Sequence, residues 1–201
     1  MTGMGRTIVW LALAALLSGS GPVVPAEMVL IPAGPFVMGS NEVDREGRAV
    51  EVGSQKPWYL DEHPRRVVVL PAYLMDRYEV TTERGGLPVT NVAWAEADGF
   101  CRRLGKRLPT ETEWEKAARG PSGFTYVWGD DGVTARGNTG QAGLGGPRPA
   151  GSFAGDRSVY GVYDLGGNVM EWTASWYQPY PGSDYQSQEF GERFQIGRAH
   201  V

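Results

Sequence analysis

The chain has little of several residue types that define common protein classes. Of its 201 residues only one, Cys101, is cysteine and only two are histidine. A single cysteine excludes an intramolecular disulfide framework, and two histidines leave little material for a histidine metal site. Basic runs are also absent, and the formal net charge of -4 disfavours binding to nucleic acid phosphates. The sequence therefore predicts a globular protein without disulfides and without a nucleic acid partner.

Long apolar runs are equally scarce. The run from Ile8 to Leu17 is shorter than the about 20 residues that span a bilayer. It follows the basic residue Arg6 and precedes the small-residue segment Val24-Pro-Ala26, a pattern typical of a secretory signal. We therefore predict a signal peptide over residues 1–26, no stable membrane anchor, and an exported protein that is periplasmic or extracellular.

What the chain does contain is glycine (29), proline (14) and tryptophan (7), which predict a loop-rich domain with an aromatic core. Apolar and β-branched runs predict short strands in residues 28–40, 66–70 and 73–80. Helical spacing predicts a helix from Ala93 to Leu104, ended by Gly105. Thr110 and Glu113 form a capping-box pattern that predicts a second helix through about Arg119. The expected class is α+β, with low regular secondary structure.

The segment from Gly161 to Trp172 is the strongest candidate for chemistry. Asp164 and Glu171 flank a turn in which Gly166 and Gly167 allow tight folding, so that carboxylates and carbonyls can surround a hard cation such as calcium. We expect tryptophans 172 and 176 to cover this loop. The alternative is a purely structural turn whose two carboxylates are solvated.

Six segments of the sequence occur in an order that resembles one known family. The chain is similar to the formylglycine-generating enzymes, also called the sulfatase-modifying factor family, in Met28–Ser40, Tyr78–Thr81, Pro88–Trp94, Gly105–Trp114, Ala117–Gly120 and Gly161–Trp172. The resemblance implies a loop-rich fold that is C-type-lectin-like. It also implies a structural calcium ion bound by Asp164, Gly167, Val169 and Glu171, the middle two through backbone carbonyls.

A second calcium site of the family would start at Asn138 and use the carbonyl of Thr139. The carboxylate segment that should complete it is replaced here by Gly140–Gly146, so this site is not predicted.

The resemblance further implies an activity, the oxidation of a substrate cysteine to formylglycine in exported sulfatases. That chemistry uses oxygen and a copper ion held by two cysteine thiolates, which suit Cu(I). The printed sequence lacks this pair, so copper is expected only if the full-length protein carries it. Catalytic residues and residues that bind a catalytic cofactor stay unassigned. The implied partner is an extended cysteine-containing peptide of a sulfatase or another protein ligand.

The alternative function is a non-catalytic, calcium-stabilised binding or maturation protein. Met170, where the family most often has tryptophan, favours a divergent member. Cys101 lies on the apolar stripe of the predicted first helix, so we expect it to be structural. We expect His63 to be incidental, and we assign five charged residues to capping and surface ion pairs: Lys106, Arg107, Glu111, Glu113 and Glu115.

Two features concern the ends and continuity of the domain. Residues 196–201 match the translation of a common sequencing adapter, so residues 195–201 are predicted to be a non-native tail. The domain is then predicted to run from 27 to 194 and to be incomplete at its C-terminus. Only residues Thr82–Leu87 separate the motifs Tyr78–Thr81 and Pro88–Trp94, which usually lie further apart in the family. The expected core is therefore shorter than that of the family.

Overall fold

The computed structural model describes residues 27–42, 60–83, 86–131, 136–188 and 190–196. The predicted signal peptide, most of the polar segment from 41 to 63 and the last five residues lie outside these ranges. Within them, no helix has the length and apolar character needed to cross a bilayer.

Six short strands and two helices make up the regular structure of these described ranges. The strands are β1 (Met28–Ile31), β2 (Gly34–Met38), β3 (Arg66–Leu70), β4 (Tyr73–Asp76), β5 (Glu171–Trp176) and β6 (Arg193–Ile196). The helices are α1 (Trp94–Arg103) and α2 (Glu111–Arg119), with single 3-10 turns at Leu60–Glu62 and Gly140–Ala142. The expected loop-rich α+β architecture is confirmed.

The strands form three antiparallel two-stranded sheets rather than one continuous sheet. β1 pairs with β4, β2 with β3, and β5 with β6. Apolar residues alternate between core and solvent along the first two sheets: Val29 and Ile31 are buried, whereas Leu30 on β1 and Val69 on β3 are exposed. Such small sheets cannot be stable alone, so they depend on packing against the helices and loops.

Both helices begin and end as the sequence predicts. Thr110 Oγ1 accepts a hydrogen bond from Glu113 N at 3.2 Å, and Glu113 Oε2 accepts one from Thr110 N at 2.9 Å, which is a capping box. Gly105, after α1, adopts a left-handed conformation with φ of 68°. It allows Lys106 N to donate to Cys101 O at 2.9 Å and so ends the helix.

The core lies against α2. Its main cluster consists of Val29, Ile31, Trp114, Ala117, Ala118, Val127, Val162 and Leu165. Helix α1 is more peripheral, because none of its residues is fully buried and Leu104, just after it, is 41% exposed. The predicted apolar stripe of α1 is therefore only half-buried.

Candidate functional site

The turn that links Asp164 to Glu171 depends on close contacts that only glycine allows. A Cβ atom on Gly166 would lie 2.7 Å from Asp156 Oδ1, and one on Gly167 would lie 2.6 Å from the carbonyl oxygen of Asn138. Gly166 N donates a hydrogen bond to Asp156 Oδ1 at 3.0 Å. The glycines therefore make the turn tight, as the sequence predicts.

Asp164 lies at the start of this turn and is 1% exposed. Its φ of 61° is left-handed, a conformation that aspartate tolerates better than most residues. Its Oδ2 accepts a hydrogen bond from Gly151 N at 2.6 Å. Burial raises the pKa of the Asp164 carboxyl above its ordinary value. The alternative of a solvated carboxylate at this position is therefore excluded.

Glu171, the first residue of β5, carries the most unusual carboxylate of the chain. Both of its oxygens are buried, and neither has a hydrogen-bond partner in the described ranges. Burial, and then repulsion from Glu79, raises its pKa well above the ordinary value. A buried carboxyl without partners is costly unless a proton or a cation neutralises it.

Two further carboxylates belong to the same neighbourhood and were not predicted from the sequence. Burial and the charge of Asp164 raise the pKa of Glu79 to about 8. Asp156 is 1% exposed, and burial raises its pKa to about 7. Glu79 Oε1 and Asp156 Oδ2 are also buried without a partner. No signal in the sequence links these residues to the turn, since Glu79 is 92 positions from Glu171.

Four carboxylates contribute negative charge to this centre. Repulsion from Glu79, Asp156 and Asp164 adds to the burial that raises the pKa of Glu171. The described residues contain no group of three or more His, Cys, Asp or Glu positioned to hold a metal ion. A cation here would therefore need backbone carbonyls beside the carboxylates of Asp164 and Glu171, a mixture of ligands that calcium accepts.

Asn168 connects the loops around this centre. Its Nδ2 donates to Glu79 Oε2 at 2.7 Å and to Arg148 O at 3.1 Å. Its Oδ1 accepts from Asn138 Nδ2 at 3.0 Å and from Arg148 N at 2.8 Å. The side-chain amide thus uses its full hydrogen-bonding capacity, and it holds the oxygen-rich turn in one geometry.

The amide of Asn138 is engaged by the same loops. Its Nδ2 also donates to Gly146 O at 2.9 Å, and its backbone O accepts from Asn168 N at 2.9 Å. Thr139 is nearly buried, and its Oγ1 has no partner in the described structure. These residues support the turn. They supply no carboxylate, so the second calcium site around Asn138 stays unassigned.

The two tryptophans expected to cover the loop behave differently. Trp172 is half-buried, and its Nε1 donates to Val92 O at 2.9 Å. Trp176, at the end of β5, is 50% exposed, and Met170 is 49% exposed. The expectation that Trp176 covers the turn stays a prediction.

The ion pairs assigned to the surface are in part buried, which corrects that prediction. Glu115 is 4% exposed and accepts hydrogen bonds from Gly39 N at 2.7 Å, Arg119 Nη1 at 2.5 Å and Tyr180 Oη at 2.8 Å. Glu113, 8% exposed, pairs with Arg107 Nη2 at 2.5 Å. Helix α2 packs on β2 and β5. This packing encloses charged side chains that an isolated helix would expose to solvent.

Cys101 is half-buried on α1. Burial, and then the charge of Asp76, raises the pKa of its thiol. A raised pKa disfavours the thiolate that a soft metal ion requires. One such thiol does not complete the two-thiolate copper site that the resemblance implies. His63 has its Nε2 2.6 Å from the backbone oxygen of Glu42 at the surface.

Comparison with known proteins identifies the fold and the family. The model of the sulfatase-modifying factor enzyme 1-like domain matches residues 17–85 and 82–198. The solved structure of Treponema denticola variable protein 1 superposes with a TM-score of 0.62 over 85% of this chain and 82% of that one, at 20% identity. That likeness concerns the fold alone.

Two curated relatives are similar over about half of the chain. An inactive C-alpha-formylglycine-generating enzyme 2 of Mus musculus is 44% identical over 108 residues, which is 48% of this chain and 35% of that protein. A formylglycine-generating enzyme of Thermomonospora curvata is 40% identical over 111 residues, which is 48% of this chain and 36% of that protein. The chain thus matches about a third of the length of these relatives.

Proposed function

Because the chain belongs to the sulfatase-modifying factor enzyme 1-like domain family, we propose that it is the calcium-stabilised domain of an exported protein that modifies other proteins. The reaction proposed is oxidation of a cysteine in an extended sulfatase peptide to formylglycine. The observation that carries the calcium assignment is Glu171, whose two buried carboxylate oxygens have no partner in the described structure.

In this proposal calcium is held by the carboxylates of Asp164 and Glu171 and by the carbonyls of Gly167 and Val169. The ion supplies positive charge to a buried group of carboxylates and keeps the turn folded. Glu79 and Asp156 add negative charge beside the site, and this raises the affinity for a divalent cation. Asn168 positions the turn through its bonds to Glu79 and Arg148.

Copper does not fit the residues of this chain, because Cys101 is its one cysteine. No step of the oxidation is therefore assigned to a residue described above. The reaction is therefore proposed only for a full-length protein that carries the two thiolates it requires. What this part of the protein contributes is the scaffold that holds substrate-binding loops in place.

The matching relatives favour a second function as well. One of them is named an inactive enzyme, and it is more similar to this chain than the active one over the same share of the chain. A calcium-stabilised protein that binds a cysteine-containing peptide without changing it, on a scaffold of C-type-lectin-like build, is the second candidate.

One experiment separates these functions. The full-length protein is incubated with oxygen, copper and a peptide that carries cysteine in a sulfatase-like sequence, and with a control peptide in which alanine replaces the cysteine. An enzyme converts the thiol to an aldehyde, which mass spectrometry and a hydrazine probe both detect. Saturable binding of the cysteine peptide without aldehyde supports the second candidate. Absence of both binding and conversion would overturn both functions.

A further inference from the structure

A pair of arginines lies close together at a turn that neither the calcium site nor the family match explains. Arg157 and Tyr163 form an antiparallel bridge, so residues 158–162 make a tight turn between them. Arg77 follows β4, and its backbone oxygen accepts a hydrogen bond from Tyr163 N at 2.9 Å. Residues 80 positions apart in the sequence therefore come together beside this turn.

The guanidinium groups converge on Gly161. The position that a Cβ atom of Gly161 would occupy lies 3.5 Å from Arg77 Nη1 and 3.5 Å from Arg157 Nη2. These two nitrogens are therefore separated by no more than twice that distance. Gly161 has a φ of 89°, so the turn itself requires glycine, and the absence of a side chain leaves the space between the guanidiniums open.

Among the described residues, one carboxylate forms an ion pair with these two arginines. Arg77 Nη2 pairs with Glu27 Oε1 at 2.8 Å, but the side chain of Glu27 is 61% exposed. Arg77 Nε is buried and has no partner in the described ranges. Arg157 lies 5.7 Å over the ring of Tyr163, and no carboxylate of the described chain pairs with it. In the described residues the ion pair of Arg77 is therefore with a solvent-exposed carboxylate, and Arg157 has no such pair.

We propose that Arg77 and Arg157 form a binding site for a tetrahedral oxyanion, sulfate or phosphate, either free or as a monoester. Guanidinium groups bind such anions through charged hydrogen bonds of about 2.7–2.9 Å. The two nitrogens lie within twice 3.5 Å of each other, so an anion with one oxygen on each arginine can bridge them. Arg157 is exposed, so the site is open to solvent on one side and accepts an ester group there.

The proposal is tested by titrating sodium sulfate into the full chain and following binding by isothermal calorimetry, at constant ionic strength kept with sodium chloride. Phenyl sulfate in a second titration distinguishes a monoester from a free anion. The variant is Arg157→Gln, which changes an exposed side chain and so preserves folding. The matched control is Arg102→Gln, which removes an exposed positive charge on α1.

We expect saturable binding of sulfate by the wild type and the Arg102→Gln variant. Arg157→Gln should weaken it about tenfold or more, since one charged hydrogen-bonding partner is lost. Equal affinity for phenyl sulfate would identify the monoester as a ligand, and weaker affinity would identify the free anion. Heats that do not saturate and are the same in all three proteins would be a general salt effect and would overturn the proposal. Saturable binding that Arg157→Gln leaves unchanged would also overturn it.

Discussion

Replacing Glu171 with glutamine separates the charge of this side chain from its shape. In the calcium-free protein the carboxylate is buried, has no partner in the described structure and is repelled by Glu79. A neutral amide avoids that repulsion, so the calcium-free variant should be no less stable than the calcium-free wild type. The same change removes a carboxylate ligand, so the variant should gain little from calcium.

The size of the effect follows from ligand linkage. Free calcium at 100 times its dissociation constant stabilises the wild type by about 2.7 kcal/mol. In a domain of this size each 1 kcal/mol shifts Tm by about 2–4 °C, so calcium should raise the wild-type Tm by about 5–11 °C. For Glu171→Gln we expect a shift of less than about 2 °C at the same calcium concentration.

The assay is thermal unfolding followed by circular dichroism, with calcium or with a chelator in excess. Asp98→Asn is the control, because it removes one negative charge from an ion pair with Arg102 on the surface of α1. This control should keep the full calcium shift. If the chelator leaves the wild-type Tm unchanged, or if Glu171→Gln keeps the wild-type shift, the calcium assignment is wrong.

Two further predictions concern buried charges away from this site. Burial, and then the charges of Glu115 and Glu62, raise the folded-state pKa of Glu111 from 4.5 to about 8. Between pH 4.5 and about 8, Glu111 therefore keeps its proton in the folded state and has released it in the unfolded state. The free energy of unfolding should therefore fall as pH rises from about 4.5 to 8. In urea unfolding measured at a series of pH values, Glu111→Gln should make this fall less steep. An unchanged slope would contradict the raised pKa. Lys116, 1% exposed, donates through Nζ to Pro32 O at 2.7 Å and Gly34 O at 3.0 Å. Lys116→Met should cost about 2–4 kcal/mol in urea unfolding because two carbonyls lose their donor, and a loss below 0.5 kcal/mol would show that water replaces it.

Several structural predictions were correct because local sequence carries the physical cause. The capping box of Thr110 and Glu113 uses residues three positions apart, and Gly105 ends α1 through its own left-handed conformation. The strands of residues 28–40 and 66–76 follow from β-branched and aromatic runs. The tight turn at Gly166 and Gly167 follows from the two glycines, and the structure shows the contacts that exclude any larger residue there.

The predicted metal ligands were identified through the resemblance to a family and not through spacing alone. Asp164 and Glu171 are both withdrawn from solvent, and this excludes the alternative of solvated carboxylates. Whether calcium occupies the site stays a prediction, as do the signal peptide, the export of the protein and the non-native tail. Two residues of that tail, Gln195 and Ile196, pair with β5 in the structure.

The sequence by itself determined the short helices, their caps, the glycine turn and the family, because each depends on neighbouring residues or on ordered motifs. Tertiary structure alone decided which charges are buried together. Glu79 and Asp156 reach Glu171 only because distant loops pack on one another, and Glu115 is enclosed only because α2 packs on β2 and β5. The same packing brings Arg77 to Arg157. Burial and charge pairing are properties of surfaces in contact, and those surfaces form only when the chain has folded.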